Sequence, residues 1–320
     1  MIDVMLLGIG SMVPLPGRWL SSALLRIGQS LVLLDCGEGT QVAMRERHWG
    51  FRKLDAICLS HLHADHCAGL PGLFHTIGNA GKRTPLTIYG PEGTIDVIRG
   101  LRAIAPHLPY DMTVTELADG AETEGPEGLR VAVAEGEHRV PVLAYRLERP
   151  RATRFQPDRA RTLGVPIDQW SVLQHGEAVV VDGRTVEPHE VLGEAREGVA
   201  LGFATDTRPT DAVRDVVRGV DLLISEATFG DDGDLDRAIR RGHMTFREAA
   251  ALARDAEAGH LWLTHFSAAI MDPDIWRDNA AEVFPAVTVG HAGLSATLAF
   301  DGGYQPNTVS EGISDDPAVD

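Results

Sequence analysis

At 320 residues, with 44% hydrophobic and 23% charged side chains, the chain has the composition of a soluble globular protein long enough to bury a large core. Its formal net charge of −17 argues against indiscriminate nucleic-acid binding, which draws on Lys and Arg to neutralise phosphates, yet a local basic patch or a divalent metal can still attract RNA. No apolar run approaches the roughly 20 residues that span a bilayer, MIDVMLLGIGS lacks a basic leader, and scattered Cys36, Cys58 and Cys67 fit a reducing cytoplasm better than a disulfide framework.

In chain order, DVMLLGIG, SSALLRIG and SLVLLDCG, separated by Gly, Ser and Pro, read as strands of a meander. Next come a helix (TQVAMRERHWG), a strand (DAICLS), a helix (GLPGLFHTIG), a strand (PLTIYG) and a helix (PEGTIDVIRGLR). Residues 150–198 are polar and rich in Pro, Gly and Arg, which predicts an extension without a core of its own. On either side of it the pattern repeats: LRVAVAEGEH and VPVLAYRLE before the extension, then VALGFATD, VDLLISEA and HLWLTHF after it, read as strands, and TDAVRDVVRG and TFREAAALARDA as amphipathic helices. Mixed strands and helices in both halves predict one α/β domain over residues 1–300, with two sheets face to face and helices outside. Residues 301–320 carry acids and no Lys or Arg, which predicts a disordered tail.

Four side chains able to bind a metal fall within six residues at HLHADH, 61 to 66. An extended segment would put His61, His63 and Asp65 on one face, and a turn at Ala64–Asp65 would swing His66 toward them. Imidazole with carboxylate suits zinc or a similar divalent ion. His138, Asp206 and His265 each end an apolar run, so the chain can deliver all three to the same sheet edge.

With these residues in place the sequence resembles the metallo-β-lactamase superfamily, and within it the ribonuclease Z family of tRNA 3′-processing endoribonucleases. The resemblance rests on LDCGEGTQ, SHLHADHCAGLPGLF, YGPEG, EH at 137–138, FATDTRP, EATF, HMT and LTHFS, in that order from residue 1 to about 300. It implies an αββα sandwich, two mixed sheets packed face to face with helices outside, carrying a dinuclear zinc site. His61, His63 and His138 would bind one ion and Asp65, His66 and His265 the other, with Asp206 bridging them. Manganese or iron would accept the same donors. Asp65 would orient the attacking water, and His243 supported by Glu226 would protonate the leaving 3′-oxygen. The implied partners are a tRNA precursor and a second copy of the chain, with no membrane and no DNA.

Three stretches depart from the family pattern. Ser225 stands where the family has a histidine before Glu-Ala-Thr. Pro14-Leu15-Pro16-Gly17-Arg18-Trp19 keeps the proline and arginine of a PxKxRN loop, leaving Arg18 as the substrate-binding candidate there. The extension keeps Arg151, Arg154, Arg159 and Arg161 beside Phe155 and Trp170, a mixture suited to RNA contact. The departures keep two alternatives open: a metallo-phosphodiesterase for a smaller substrate, and a catalytically silent RNA-binding scaffold.

Overall fold

The computed structural model describes residues 1–194 and 196–307. Its strands are β1 (Ile2–Gly8), β2 (Ser22–Ile27), β3 (Ser30–Leu34), β4 (Leu54–Cys58), β5 (Leu86–Gly90), β6 (Met112–Glu116), β7 (Glu122–Glu124), β8 (Arg130–Glu135) and β9 (Leu143–Arg151). They continue as β10 (Val179–Val181), β11 (Arg184–Val186), β12 (Arg196–Ala204), β13 (Leu222–Glu226), β14 (Leu261–Thr264), β15 (Val287–Val289), β16 (Ser295–Ala299) and β17 (Gly303–Pro306).

Side-chain alternation decides which way each strand faces. In β1, Ile2, Val4 and Leu6 join the core between the sheets, whereas Met5 and Leu7 join a second cluster under the helices. β3 repeats this, with Val32 and Leu34 inward and Leu31 and Leu33 outward. Strands buried on both faces read as unbroken apolar runs, and each fully buried aliphatic side chain contributes about 1.5–3 kcal/mol.

One sheet has the order β17-β16-β1-β2-β3-β4-β5-β6 and the other β15-β14-β13-β12-β9-β8-β7. β3 to β6 run parallel, as do β12 to β15. Each sheet therefore presents a row of carboxyl-terminal strand ends, the edge at which open α/β sheets hold ligands. Tyr145 Oη donates to the Leu59 carbonyl (2.7 Å) and Leu143 N to the Ser60 carbonyl (2.9 Å), tying the sheets together beside that edge. Helices Leu70–Asn79 and Phe246–Asp255 cover the outer faces, the latter burying Phe246, Ala249, Ala250, Leu252 and Ala253.

Three expectations change. β9 and β12 pair as far as Arg151↔Arg196, so the extension is shorter than 150–198 and spans 152–195. It also has a core: Ala160, Val165, Leu173, Val179, Val186 and Val191 are buried together, with Phe155 and Trp170 packed against them. Its apolar residues are spaced too widely in sequence to announce this, and they meet only through three short helices and the β10–β11 hairpin. Finally, Gly303–Pro306 pairs with β16, so structure continues past residue 300; residues 308–320 of the expected tail lie outside the described residues.

Candidate metal centre

β4 ends at Cys58, and the chain leaves it through Leu59–Ser60–His61. His63 is extended (φ −67°, ψ 153°) and caps a single helical turn, Ala64–Cys67, so Asp65 and His66 stand on that turn and not on a continued strand. This differs from the extended arrangement expected for His61, His63 and Asp65. The local reason is the cap itself: His66 N bonds back to the His63 carbonyl at 3.0 Å, which closes the turn. His61 Nε2 and His63 Nδ1 nonetheless lie 3.0 Å apart.

The opposite sheet supplies the remaining donors. Asp206 follows β12 and His265 follows β14, each with positive φ, 51° and 59°. Asp35, after β3, shares this conformation at 55°. Left-handed non-glycine residues cost about 1–3 kcal/mol each and persist where surrounding bonds hold them, here at three strand ends facing one another. His138 arrives from the loop after β8, its Nδ1 bonded to the Gly242 carbonyl at 3.0 Å.

Three overlapping donor groups result: His61, His63, His138 and Asp206; Asp65, His66 and His265; and Asp206, His243 and His265, the last drawing in the ring that Glu226 holds. Within each group one ligand atom per residue lies within 4.8 Å of the others. Asp206 touches the first two, with Oδ2 3.5 Å from His61 Nε2 and Oδ1 3.0 Å from His265 Nε2.

The partners of the imidazole nitrogens argue for a cation. His66 Nδ1 faces Asp35 at 2.7 Å and His265 Nδ1 faces the Thr228 hydroxyl at 3.0 Å. With those nitrogens protonated, the two Nε2 lone pairs confront each other at 3.2 Å inside the protein. His138 Nε2 is buried without a hydrogen-bond partner among the described residues. Lone pairs converging on a buried carboxylate repel unless a positive charge sits among them, and a divalent ion with mixed N and O donors fits. The same pressure appears in the acidities. Burial opposes charge on His265, yet Asp206 and Asp65 beside it push its pKa up to about 9. Burial likewise opposes ionisation of Asp206, and the surrounding imidazoles, His265 foremost, hold its pKa well below the usual carboxylate range.

In the third group, His243 Nδ1 lies 3.2 Å from each oxygen of Glu226, which is fully buried at the end of β13. Burial disfavours the imidazolium, but the Glu226 carboxylate outweighs it and raises the His243 pKa above its ordinary value. Thr207 N (2.7 Å), Thr228 Oγ1 (2.6 Å) and Met244 N (3.1 Å) all donate to Glu226 and keep its carboxylate aimed at the ring. Arg208 donates to the His243 carbonyl and pairs with Glu248, which also closes the capping box of helix Phe246–Asp255.

The sequence reading singled out every one of these donors but missed the carboxylate that orients His66. Asp35 is fully buried and takes bonds from Ser60 N (2.7 Å) and Ser60 Oγ (2.8 Å) as well as facing His66. Its signal lay in LDCGEGTQ, a block recognised only as a family marker. Arg18 is not brought to the centre: its guanidinium donates to the carbonyls of Ile270 (2.7 Å) and Met271 (3.0 Å) and fastens two loops. Ser225 is buried and its hydroxyl donates to the Glu226 carbonyl at 3.1 Å. The centre opens into a cavity of about 360 Å³ lined by His63, Asp65, Asp206, His243 and His265 together with Phe229, Arg139, Arg237 and Arg241.

The chain matches the model of the Beta-lactamase superfamily domain over residues 31–266. It is 41% identical to the ribonuclease Z of Lachnospira eligens over 301 residues, 94% of this chain and 99% of that protein. Against the ribonuclease Z of Clostridioides difficile it is 41% identical over 304 residues, 94% and 100% of the two chains. The chain belongs to the ribonuclease Z family. A ribonuclease Z relative of known structure, human tRNase Z short form, superposes with a TM-score of 0.66 at 25% identity, over 93% of this chain and 99% of that one. The ribonuclease Z blocks HLHADH, FATD, EATF and LTHF thus fall at carboxyl-terminal strand ends of a metallo-β-lactamase fold.

Proposed function

We propose that this chain is a metal-dependent endoribonuclease that hydrolyses one phosphodiester to release the 3′ trailer of tRNA precursors. The observation that carries this reading is the convergence of seven His and Asp donors from two facing sheets on one edge of the sandwich, in a chain 41% identical to a ribonuclease Z over nearly its whole length.

His61, His63 and His138 would hold one ion, Asp65, His66 and His265 a second, and Asp206 both. The donor set suits zinc, and manganese or iron would accept it. Bound divalent ions would supply an activated water and offset charge on the phosphoryl oxygens. The chain does the rest. Asp65, held by Met12 N at 2.7 Å, is kept ionised by His265 and His66 against the pull of burial and is placed to orient the water. His243 Nδ1 is turned to Glu226, which leaves Nε2 to carry a proton to the departing 3′-oxygen.

The working unit in this reading is a single domain bearing the 152–195 arm, in a cytoplasmic homodimer. Its three cysteines are free, and no described helix is long and apolar enough to cross a membrane. A second reading, a smaller phosphodiester substrate, draws on one feature: Arg18 is spent on loop carbonyls and is not presented to the cavity.

Zinc-loaded protein incubated with a 3′-extended tRNA precursor separates the two. One cut just after the discriminator nucleotide, absent in Asp65→Ala, is expected. Intact precursor alongside rapid hydrolysis of an aryl phosphodiester would favour the smaller substrate.

A further inference from the structure

Three arginines line the cavity, and each borders the His243 corner. Arg237 and Arg241 lie four residues apart on helix Leu235–Arg241, hence on one face of it, and that helix leads through Gly242 into His243. Arg139 follows His138, whose ring lies 5.1 Å from that of His243 and whose Nδ1 is bonded to the Gly242 carbonyl.

Their place over the cavity sets them apart. Many exposed arginines of this acidic chain are matched by neighbouring carboxylates, such as Arg99 with Asp96 at 2.6 Å, Arg161 with Asp158 at 2.8 Å, Arg214 with Asp211 at 2.6 Å and Arg247 with Asp232 at 2.6 Å, while others that lack such a partner among the described residues, Arg45 and Arg240 for instance, do not line it. Among the described residues Arg139 and Arg241 have no carboxylate within 4.0 Å, and Arg237 reaches only Asp234, at 3.8 Å. Arg237 instead lies over the Phe229 ring, 5.0 Å from its centroid, a contact that steadies a guanidinium without neutralising it.

We propose that Arg139, Arg237 and Arg241 form a subsite for the RNA backbone phosphate on the 5′ side of the nucleotide whose 3′-oxygen leaves. The side follows from the proton donor. An in-line displacement puts attacking water and leaving oxygen on opposite faces of the scissile phosphate, and His243 marks the leaving face. The nucleotide bearing that oxygen remains with the product, and its own 5′ phosphate is the next anion along the backbone. The subsite rests on the endoribonuclease reading and adds which strand segment the cavity grips: the retained 3′ end and not the trailer.

The test uses full-length, metal-loaded protein and precursors carrying one neutral methylphosphonate linkage, either at that 5′ phosphate or at the first linkage within the trailer. For wild type the upstream neutral linkage should lower kcat/KM by about fivefold or more, the upper range for one exposed ion pair, and the trailer linkage should not. The Arg237→Gln/Arg241→Gln variant should lose a similar factor on the charged substrate and nothing further on the neutral one, Lys at both positions should restore most of the loss, and Arg240→Gln, outside the cavity lining, should match wild type. Equilibrium binding of the trailer-free product should show the same pattern, with a salt slope shallower by roughly 0.7 per lost contact. A wild-type enzyme that cuts the precursor but ignores the upstream linkage, or a variant that loses as much as wild type from it, overturns the subsite alone. A wild-type enzyme that leaves the precursor uncut overturns the endoribonuclease reading and the subsite with it.

Discussion

Two carboxylates that are in none of the donor groups, Asp35 and Glu226, settle how two imidazoles behave. Asp35 takes one ring nitrogen of His66 and Glu226 takes one of His243, so each ring presents its other nitrogen in a defined protonation state. Asp35→Asn should therefore weaken metal binding by roughly 10- to 100-fold, measured by competition with a chelating dye, while the fold persists by circular dichroism. His243→Ala should keep its full metal content by elemental analysis and slow turnover of saturating precursor by roughly 10²- to 10⁴-fold; undiminished turnover would remove it from proton transfer. The four donors of HLHADH were legible because such density in six residues rarely has another cause. Asp35 was not, because an aspartate after an apolar strand is also an ordinary turn residue, and its partner lies 31 positions away.

Short elements placed the site less legibly than the long ones. β6, β7, β15 and β16 are each three to five residues and partly exposed, so their patterns were too brief to separate from loop. β17 matters to the far end of the second sheet. Tyr304 stacks on His260 at 4.0 Å and 6°, His260 Nε2 lies 2.9 Å from Thr288 Oγ1, and Trp262 Nε1 donates to the Tyr304 hydroxyl at 3.1 Å. Burial lowers the His260 pKa to about 4. The unfolded chain, with an ordinary imidazole near 6.5, binds this proton first, so the stability linked to neutral His260 is complete above about pH 6.5 and is lost as pH falls toward 4. Denaturant unfolding at pH 7 and pH 4.5 should show wild type losing up to about 2 kcal/mol more than His260→Phe, after allowance for the partial exposure of the ring. Equal losses would mean that the stack does not depend on the neutral ring. The arm shows the same limit of local pattern, since Phe155 and Trp170 turn inward at 5.2 Å from each other and leave Arg154, Arg159 and Arg161 on the surface.

Across the whole molecule the candidate metal centre is a seam. His61, Asp65 and His66 belong to the first sheet and Asp206 and His265 to the second, so ions bound by these donors would link the two halves and stabilise only the folded state. Stripping metal with a chelator should lower the thermal midpoint by several degrees, and zinc should restore it; an unchanged midpoint would mean the sheets hold the donors together unaided. The sequence by itself determined the donor types, their order and the apolar strands that end in them, because all three depend on residue identity and short spacing. Only the tertiary structure decided that Asp35 meets His66, that Arg18 is diverted to two carbonyls, and that Arg139 stands beside Arg237 and Arg241. Those neighbours come from different sheets and loops, and their separations are set by how two twisted sheets pack, which no local pattern records.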